Sequence, residues 1–184
     1  MTQTKKAPNQ IIRLALILFL VTAITAGVLA LVNILTKDRI AAQKAEATRV
    51  AYAEVLPTTG NYEEVSFDKT EEFKTVNKIS KATDGAGYVV ELSFSGAQST
   101  VTAAVGIDAA GVVSGVSIIS HAETSGLGAK ATEAVFRDQY KGAAEHVALT
   151  KNGGTINAIS GATITSTAVT NAVNTAMDVV ATLG

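Results

Sequence analysis

The chain has 184 residues, a formal net charge of −1 and hydrophobic residues at 47% of its positions. That length suits one domain plus an anchor, and the near-neutral balance gives no global field that would attract nucleic acid. Cysteine is absent, which excludes disulfides, thiolate catalysis, cysteine-ligated zinc and iron–sulfur clusters within this chain.

Residues 1–13 read as a polar tail carrying Lys5, Lys6 and Arg13. No residue from Leu14 to Leu35 is charged; a helix of roughly 22 residues is about 33 Å long, enough to cross a bilayer. The run is longer than a signal-peptide core, and no clean small-x-small cleavage site follows it, so the spacing predicts a retained membrane span over 14–35. Ala23, Gly27, Ala26 and Ala30 recur at four-residue spacing. They either let another helix approach closely or reflect ordinary tolerance of alanine in a span. The span holds no Asp, Glu, Lys or Arg, so this helix alone is a poor binder of a translocated ion. Basic residues flank it on both sides, with Lys37, Arg39, Lys44 and Arg49 after it, and charge does not decide its orientation. Thr36 to Leu56 is rich in good helix formers and continues as a stalk, which Pro57 and Gly60 stop; 36–60 is the stalk and 61–184 the domain.

Asn61 to Lys81 is charged and reads as short strands or loops, with Glu63, Glu64, Glu71 and Glu72 on a solvated face. Tyr88–Phe94, Val101–Ile107 and Val112–Ile119 are rich in β-branched residues and separated by short turns, the pattern of an antiparallel meander. A loop from His121 to Lys130 follows, then a helix over Ala131–Tyr140. His146–Thr150 and Thr155–Ile159 read as a hairpin across Asn152-Gly153. A final helix opens near Ser166, with Val169, Val173, Ala176, Val180 and Leu183 on the face that packs on the sheet. The expected fold is α+β: an antiparallel sheet with packed helices, preceded by a single N-terminal transmembrane helix.

Two stretches stand out chemically. Ser160-Gly161-Ala162-Thr163, with Thr165 and Ser166 behind it, crowds hydroxyls at a helix entrance. Unpaired N–H groups and the helix dipole favour a phosphate there, although Ser and Thr also begin helices simply as caps. In His121-Ala122-Glu123-Thr124-Ser125-Gly126-Leu127-Gly128, Gly126 and Gly128 permit close backbone approach to a flat ligand. Leu127 can press on a ring face, and Glu123 and Thr124 offer polar contacts. His121 has only His146 for company in the chain, which is not a metal-ligand set.

Asn157 to Thr163 resembles the flavinylation motif of the FMN-binding domain family, Asp-x-x-Ser/Thr-Gly-Ala-Thr. His121 to Gly128 resembles that family's Glu-Thr-Pro-Gly-Leu-Gly loop. Asn157 stands where the family has Asp, and Ser125 where Pro is usual. Both segments, behind one membrane span, are similar to the G-subunit family of Rnf complexes, which are ion-translocating ferredoxin:NAD oxidoreductases. The resemblance implies a covalent FMN, joined through a phosphoester to Thr163 by a flavin transferase that uses FAD. Ser160, Gly161 and Ala162 would give that enzyme access, Thr165 and Ser166 would donate to the phosphate, and Glu123, Thr124, Gly126, Leu127 and Gly128 would wall the isoalloxazine. It further implies a cytoplasmic N-terminus, a single pass through the cell membrane, a domain outside the cytoplasm, and membrane and peripheral proteins of the complex as partners.

The chain lacks GxGxxG, GxxxxGK[ST] and HExxH, and Ser160 and Thr163 lack His–Asp support in the sequence. The expected role is therefore an electron relay, with no catalytic side chain or metal and no complete reaction from this chain alone. The C-type flavin subunit of the sodium-translocating NADH:quinone reductase, which shares anchor and motif, and a non-redox anchored scaffold are the alternatives.

Overall fold

The computed structural model describes residues 8–183. The expected N-terminal tail, 1–13, lies outside the described residues as far as residue 7. Two compact units are present, Met1–Ala45 and Glu46–Gly184.

In the first unit the described chain is all helix, the opening part of α1 (Pro8–Val55). Its large apolar side chains, among them Leu14, Phe19, Leu29 and Leu35, are exposed all round. Such a helix has no polar face to offer water, and it is long and apolar enough to cross a membrane. The hydroxyls of Thr22, Thr25 and Thr36 donate to carbonyls of their own helix one turn back, which satisfies them without a partner.

The second unit begins with the last turns of α1. Its sheet is a five-stranded antiparallel meander in the order β1 (Tyr62–Val65), β2 (Val76–Ala82), β3 (Gly87–Ser95), β4 (Thr100–Asp108), β5 (Val113–Ser120). The three strands expected from composition are β3 to β5; the charged stretch before them supplies two more, with Glu63, Glu64, Glu71 and Glu72 exposed as expected. Side chains alternate across the sheet with period two. Val90, Leu92 and Phe94 of β3 and Val101, Ala103, Val105 and Ile107 of β4 face the main core under α3 (Thr163–Ala181). Val89 and Ala104 face the other way, onto Ala51, Tyr52, Val55 and Leu56 at the end of α1.

That docking is close because two glycines lie beneath it. A Cβ at Gly106 would fall on the Val55 carbonyl, and one at Gly115 would come within 3.1 Å of the Val55 Cα. The helix's last carbonyls, which no further turn can satisfy, are capped by the sheet unit. Ser114 Oγ donates to Val55 O at 2.5 Å, and Tyr62 Oη donates to Leu56 O at 2.6 Å and to Tyr52 O at 3.1 Å.

Between β5 and α3, two expected elements take another form. Ala131–Tyr140 is not one helix but a 3-10 turn over Gly128–Thr132, a four-residue helix α2 (Ala134–Arg137) and a second 3-10 turn over Asp138–Tyr140. Glu133 is extended, with ψ 138°, and breaks the ladder. The segment is held by its side chains instead. Tyr140, fully buried, bonds Thr170 Oγ1 at 3.0 Å and packs edge-on to Phe136; burial pushes its hydroxyl up to about 12, against a lowering by the Thr170 bond. The expected hairpin at Asn152-Gly153 is a 3-10 turn over Thr150–Asn152 closed by Gly153 at φ 83°. Its arms meet in a single parallel bridge, Leu149 to Ile156. The turn signal there is real, but the flanking side chains serve the core under α3 rather than a strand pair.

Candidate cofactor site at the start of α3

The final helix starts three residues earlier than the spacing suggests, at Thr163 itself. Chain geometry sets that start. Gly161 sits at φ 75°, a left-handed conformation that L side chains resist, and a Cβ there would come within 2.9 Å of Leu127 Cδ2. Ala162 is the residue before the helix, and no side chain caps it. The first rung of the ladder is Ser166 N–H to Ala162 O at 3.0 Å, so the N–H groups of Thr163, Ile164 and Thr165 precede any intrahelical acceptor.

The hydroxyls divide sharply. Ser166 is fully buried; its Oγ accepts from Ile159 N at 2.9 Å and donates to Ala162 O at 3.0 Å, stapling the turn shut. Thr165, also fully buried, donates to Glu123 Oε2 at 2.7 Å. Thr167 and Thr170 donate to carbonyls one turn back. Thr163 is half-buried, Ser160 is exposed, and among the described residues neither hydroxyl makes a hydrogen bond. The two hydroxyls expected to reach a phosphate, Thr165 and Ser166, are thus committed inward, while Thr163 is free. The capping role open to these residues is taken by none of them.

Glu123 joins the two stretches singled out from sequence. It is 7% exposed. Its carboxylate accepts from the N–H groups of Ser99 at 2.9 Å, Gln98 at 3.0 Å and Ala97 at 3.2 Å, from Ser99 Oγ at 3.1 Å, and from Thr165. Burial alone would raise its pKa; the Thr165 hydroxyl and the three backbone donors outweigh that and hold it down at about 2. Gly128 is buried against this knot: a Cβ there would fall on the Glu123 carboxylate and lie 2.9 Å from Thr165 Oγ1. The close approach that Gly128 permits is therefore to protein. Thr124 Oγ1 donates to Gln98 Oε1 at 2.6 Å, and Gly126 turns the chain with φ 76°. Of the loop's expected ring contacts, only Leu127, 42% exposed, presents an apolar face outward beside the motif. His121 Nδ1 accepts from Glu123 N at 3.2 Å and His146 pairs with Asp178 at 2.7 Å, so each histidine is engaged with a partner of its own.

Sequence reasoning misses the loop Ala97–Ser99, which reads only as a turn, and the segment 130–139. Nothing in the local sequence of either marks it; both become visible through tertiary hydrogen bonds. A cavity of about 230 Å³ lies between that segment and Asn157–Ser160. A larger cleft of about 440 Å³ lies toward the other end of α3, beside His146 and Asp178, and includes no residue of either stretch.

The family model of the FMN-binding domain matches residues 96–178, and that of the RnfG N-terminal region matches residues 1–55. The G subunit of the Na(+)-translocating ferredoxin:NAD(+) oxidoreductase complex of Acetobacterium woodii is 37% identical over 92% of this chain and 91% of its own length. The chain belongs to the RnfG family. The G subunit of the ion-translocating oxidoreductase complex of Methanosarcina acetivorans is 33% identical over 94% of this chain and 95% of its own. The crystal structure of the C-type chain of the Na(+)-translocating NADH-quinone reductase from Parabacteroides distasonis superposes with a TM-score of 0.52 at 18% identity, covering 75% of this chain and 91% of that one. It shares the α+β fold. Within the RnfG family, the matched FMN-binding domain contains every residue of the site described above.

The uncapped start of α3 fits a phosphate group. A free hydroxyl stands at the first helical position, with N–H donors beside it and no side-chain cap competing for them.

Proposed function

We propose that this chain is the electron-relay component of a membrane-bound ion-translocating ferredoxin:NAD oxidoreductase, carrying FMN outside the cytoplasm through a phosphoester to Thr163. The carrying observation is the contrast among hydroxyls at the start of α3: Thr163 is free at the uncapped helix start, whereas Thr165, Ser166, Thr167 and Thr170 are all bonded internally.

FMN supplies one- and two-electron chemistry that no side chain of this protein provides. The protein's residues hold and position it. The helix start offers N–H groups and positive dipole to the phosphate. Gly161 and the Ser166 staple fix the turn that presents Thr163, and the Glu123 knot fixes the turn against the loop carrying Leu127. A flavin transferase would need access to Thr163, and exposed Ser160 and Gly161 leave that approach open. Relatives matching over nearly the whole chain are G subunits, which favours this complex over the NADH:quinone reductase alternative; bound flavin distinguishes it from a scaffold.

The relay reading is tested with the full chain, loaded by co-expression with a flavin transferase. Dithionite should reduce its flavin, while NADH and reduced ferredoxin should remain unconsumed until the rest of the complex is added. Robust NADH oxidation by the isolated chain would refute a relay. Protease added outside intact cells, after removal of any outer barrier, should cut the domain; protection until lysis would reverse the proposed topology.

A further inference from the structure

Residues 157–160 lead into the turn that presents Thr163, yet they belong to no strand or helix. A backbone without a ladder must find other partners. Asn157 finds both of its own on one side chain. Gln139 Oε1 accepts from Asn157 N at 2.7 Å, and Gln139 Nε2 donates to Asn157 O at 3.3 Å. The carboxamide pairs with the backbone as a neighbouring strand would, and the donor and acceptor of Asn157 fix which way it faces. Two residues on, Ile159 N donates to Ser166 Oγ at 2.9 Å. Asn157 is exposed, so without Gln139 its N–H and carbonyl face water.

Local structure does not hold Gln139 in place. It follows α2, a helix of four residues, too short to be stable on its own. Arg137, whose side chain is 15% exposed, supplies the anchor. Its Nε donates to Thr132 O at 2.8 Å, closing the segment on itself. Its Nη1 donates to Val116 O of β5 at 3.1 Å and to Glu54 Oε1 of α1 at 2.8 Å. Ser117 Oγ donates to the other Glu54 oxygen at 2.6 Å. Burial alone would raise the Glu54 carboxyl; Ser117 and then Arg137 outweigh it and hold the group below the usual carboxylate range. The carboxylate therefore stays charged opposite the guanidinium. A continuous chain of contacts runs from the last turn of α1 through Arg137 and Gln139 to Asn157.

We propose that Gln139 is a positioning residue for the attachment turn, and that Arg137 sets Gln139 from the last turn of α1. The helix end and the turn then shift together, although Glu54 makes no hydrogen bond to the turn among the described residues. The contacts stand without a cofactor; their use rests on the attachment proposed above. Transfer from FAD forms the bond between Thr163 Oγ1 and the FMN phosphorus, breaks the pyrophosphate bridge, and releases AMP and the hydroxyl proton. The hydroxyl must be held in line for that displacement, and a turn free to sample other positions presents it less often.

The test uses the full chain in detergent, without flavin, as Gln139→Met and Glu54→Ala. Methionine keeps the length of glutamine and loses its bonds; Glu54 is exposed, so its variant is expected to fold, and circular dichroism checks both. Hydrogen exchange of fragments covering residues 156–162 should quicken about three- to tenfold in Gln139→Met, the factor for a lost bond of ordinary net strength. In Glu54→Ala it should quicken about two- to threefold, because Arg137 keeps its two carbonyls. Fragments of β3 and β4 should keep their rates in both. The double variant should match Gln139→Met alone, since Glu54 acts through Gln139. With purified flavin transferase and FAD, the initial loading rate of Gln139→Met should fall about twofold or more. Unchanged exchange at 156–162 in Glu54→Ala, or β3 and β4 fragments that quicken by the same factor, overturns the link to α1. Unchanged exchange or loading in Gln139→Met overturns the positioning role. An unmodified chain that takes no flavin overturns the attachment, while the exchange comparison still decides the chain of contacts.

Discussion

Replacing Glu123 probes the knot that holds the two halves of the site together. The carboxylate receives five hydrogen bonds between 2.7 and 3.2 Å. In Glu123→Gln the amide oxygen can keep the three bonds at Oε1, from Gln98 N, Ser99 N and Ser99 Oγ. The amide nitrogen then faces Thr165, whose hydroxyl can rotate to accept, and the Ala97 N–H, which cannot. The loss is one bond at an exposed residue plus charge assistance on the rest, about 1–2 kcal/mol. Glu123→Ala leaves the fully buried Thr165 hydroxyl without its partner and unties the Ala97–Ser99 loop, about 3 kcal/mol or more. At about 3 °C per kcal/mol for a unit of this size, the Ala variant should melt about 10 °C lower and the Gln variant about 3–6 °C lower.

The acid dependence gives a second, independent signature. Glu123 has its folded pKa depressed from 4.5 to about 2. Its contribution is therefore complete above the unfolded value and is lost as pH falls through the folded one. The melting difference between the unmodified chain and Glu123→Gln should be constant above about pH 5.5 and shrink between about pH 4.5 and 2. Asp84, also held near 2, titrates in both proteins and cancels from that difference. The assay is thermal unfolding of the full chain in detergent, followed by near-ultraviolet circular dichroism across this pH range. An Ala variant within about 2 °C of the unmodified chain, or a Gln difference that does not change with acid, would refute the knot.

Gly161→Ala forces a left-handed φ on alanine and presses its Cβ toward Leu127; urea unfolding should show a loss of about 1–2 kcal/mol, and flavin loading should fall with it. Arg137→Ala removes bonds to Thr132 O, Val116 O and Glu54 and should cost about 2–3 kcal/mol in the same experiment. Arg137→Lys should recover only part of that, because an ammonium cannot reproduce the fork.

The membrane helix and strands β3 to β5 are legible because each advertises itself locally: an uncharged run of span length, or β-branched residues between short turns. Thr163 is legible through the Ser160–Thr163 pattern and its resemblance to a family motif. The rest depends on contacts that sequence spacing does not encode. Glu123 stands out as a ligand-facing polar residue, yet its five donors come from the Ala97–Ser99 loop, well upstream, and from α3. Thr165 and Ser166 look equivalent to Thr163 as hydroxyls at a helix start. Helical geometry turns the first two into the core and leaves the third outside. The segment 131–140 has helical composition, but extended Glu133 and the anchors at Arg137 and Tyr140 fix a broken path instead.

The central claim, that Thr163 carries FMN, meets its most direct test in the intact mass of the full chain co-expressed with a flavin transferase. The hydroxyl makes no protein hydrogen bond among the described residues, so Thr163→Ala should change stability by less than about 0.5 kcal/mol. The unmodified chain should gain the mass of FMN less water, with fragmentation placing the addition on Thr163, and Thr163→Ala should remain folded at its unmodified mass. A folded Thr163→Ala chain that still gains that mass, with exposed Ser160 as the first residue to examine, would contradict the account.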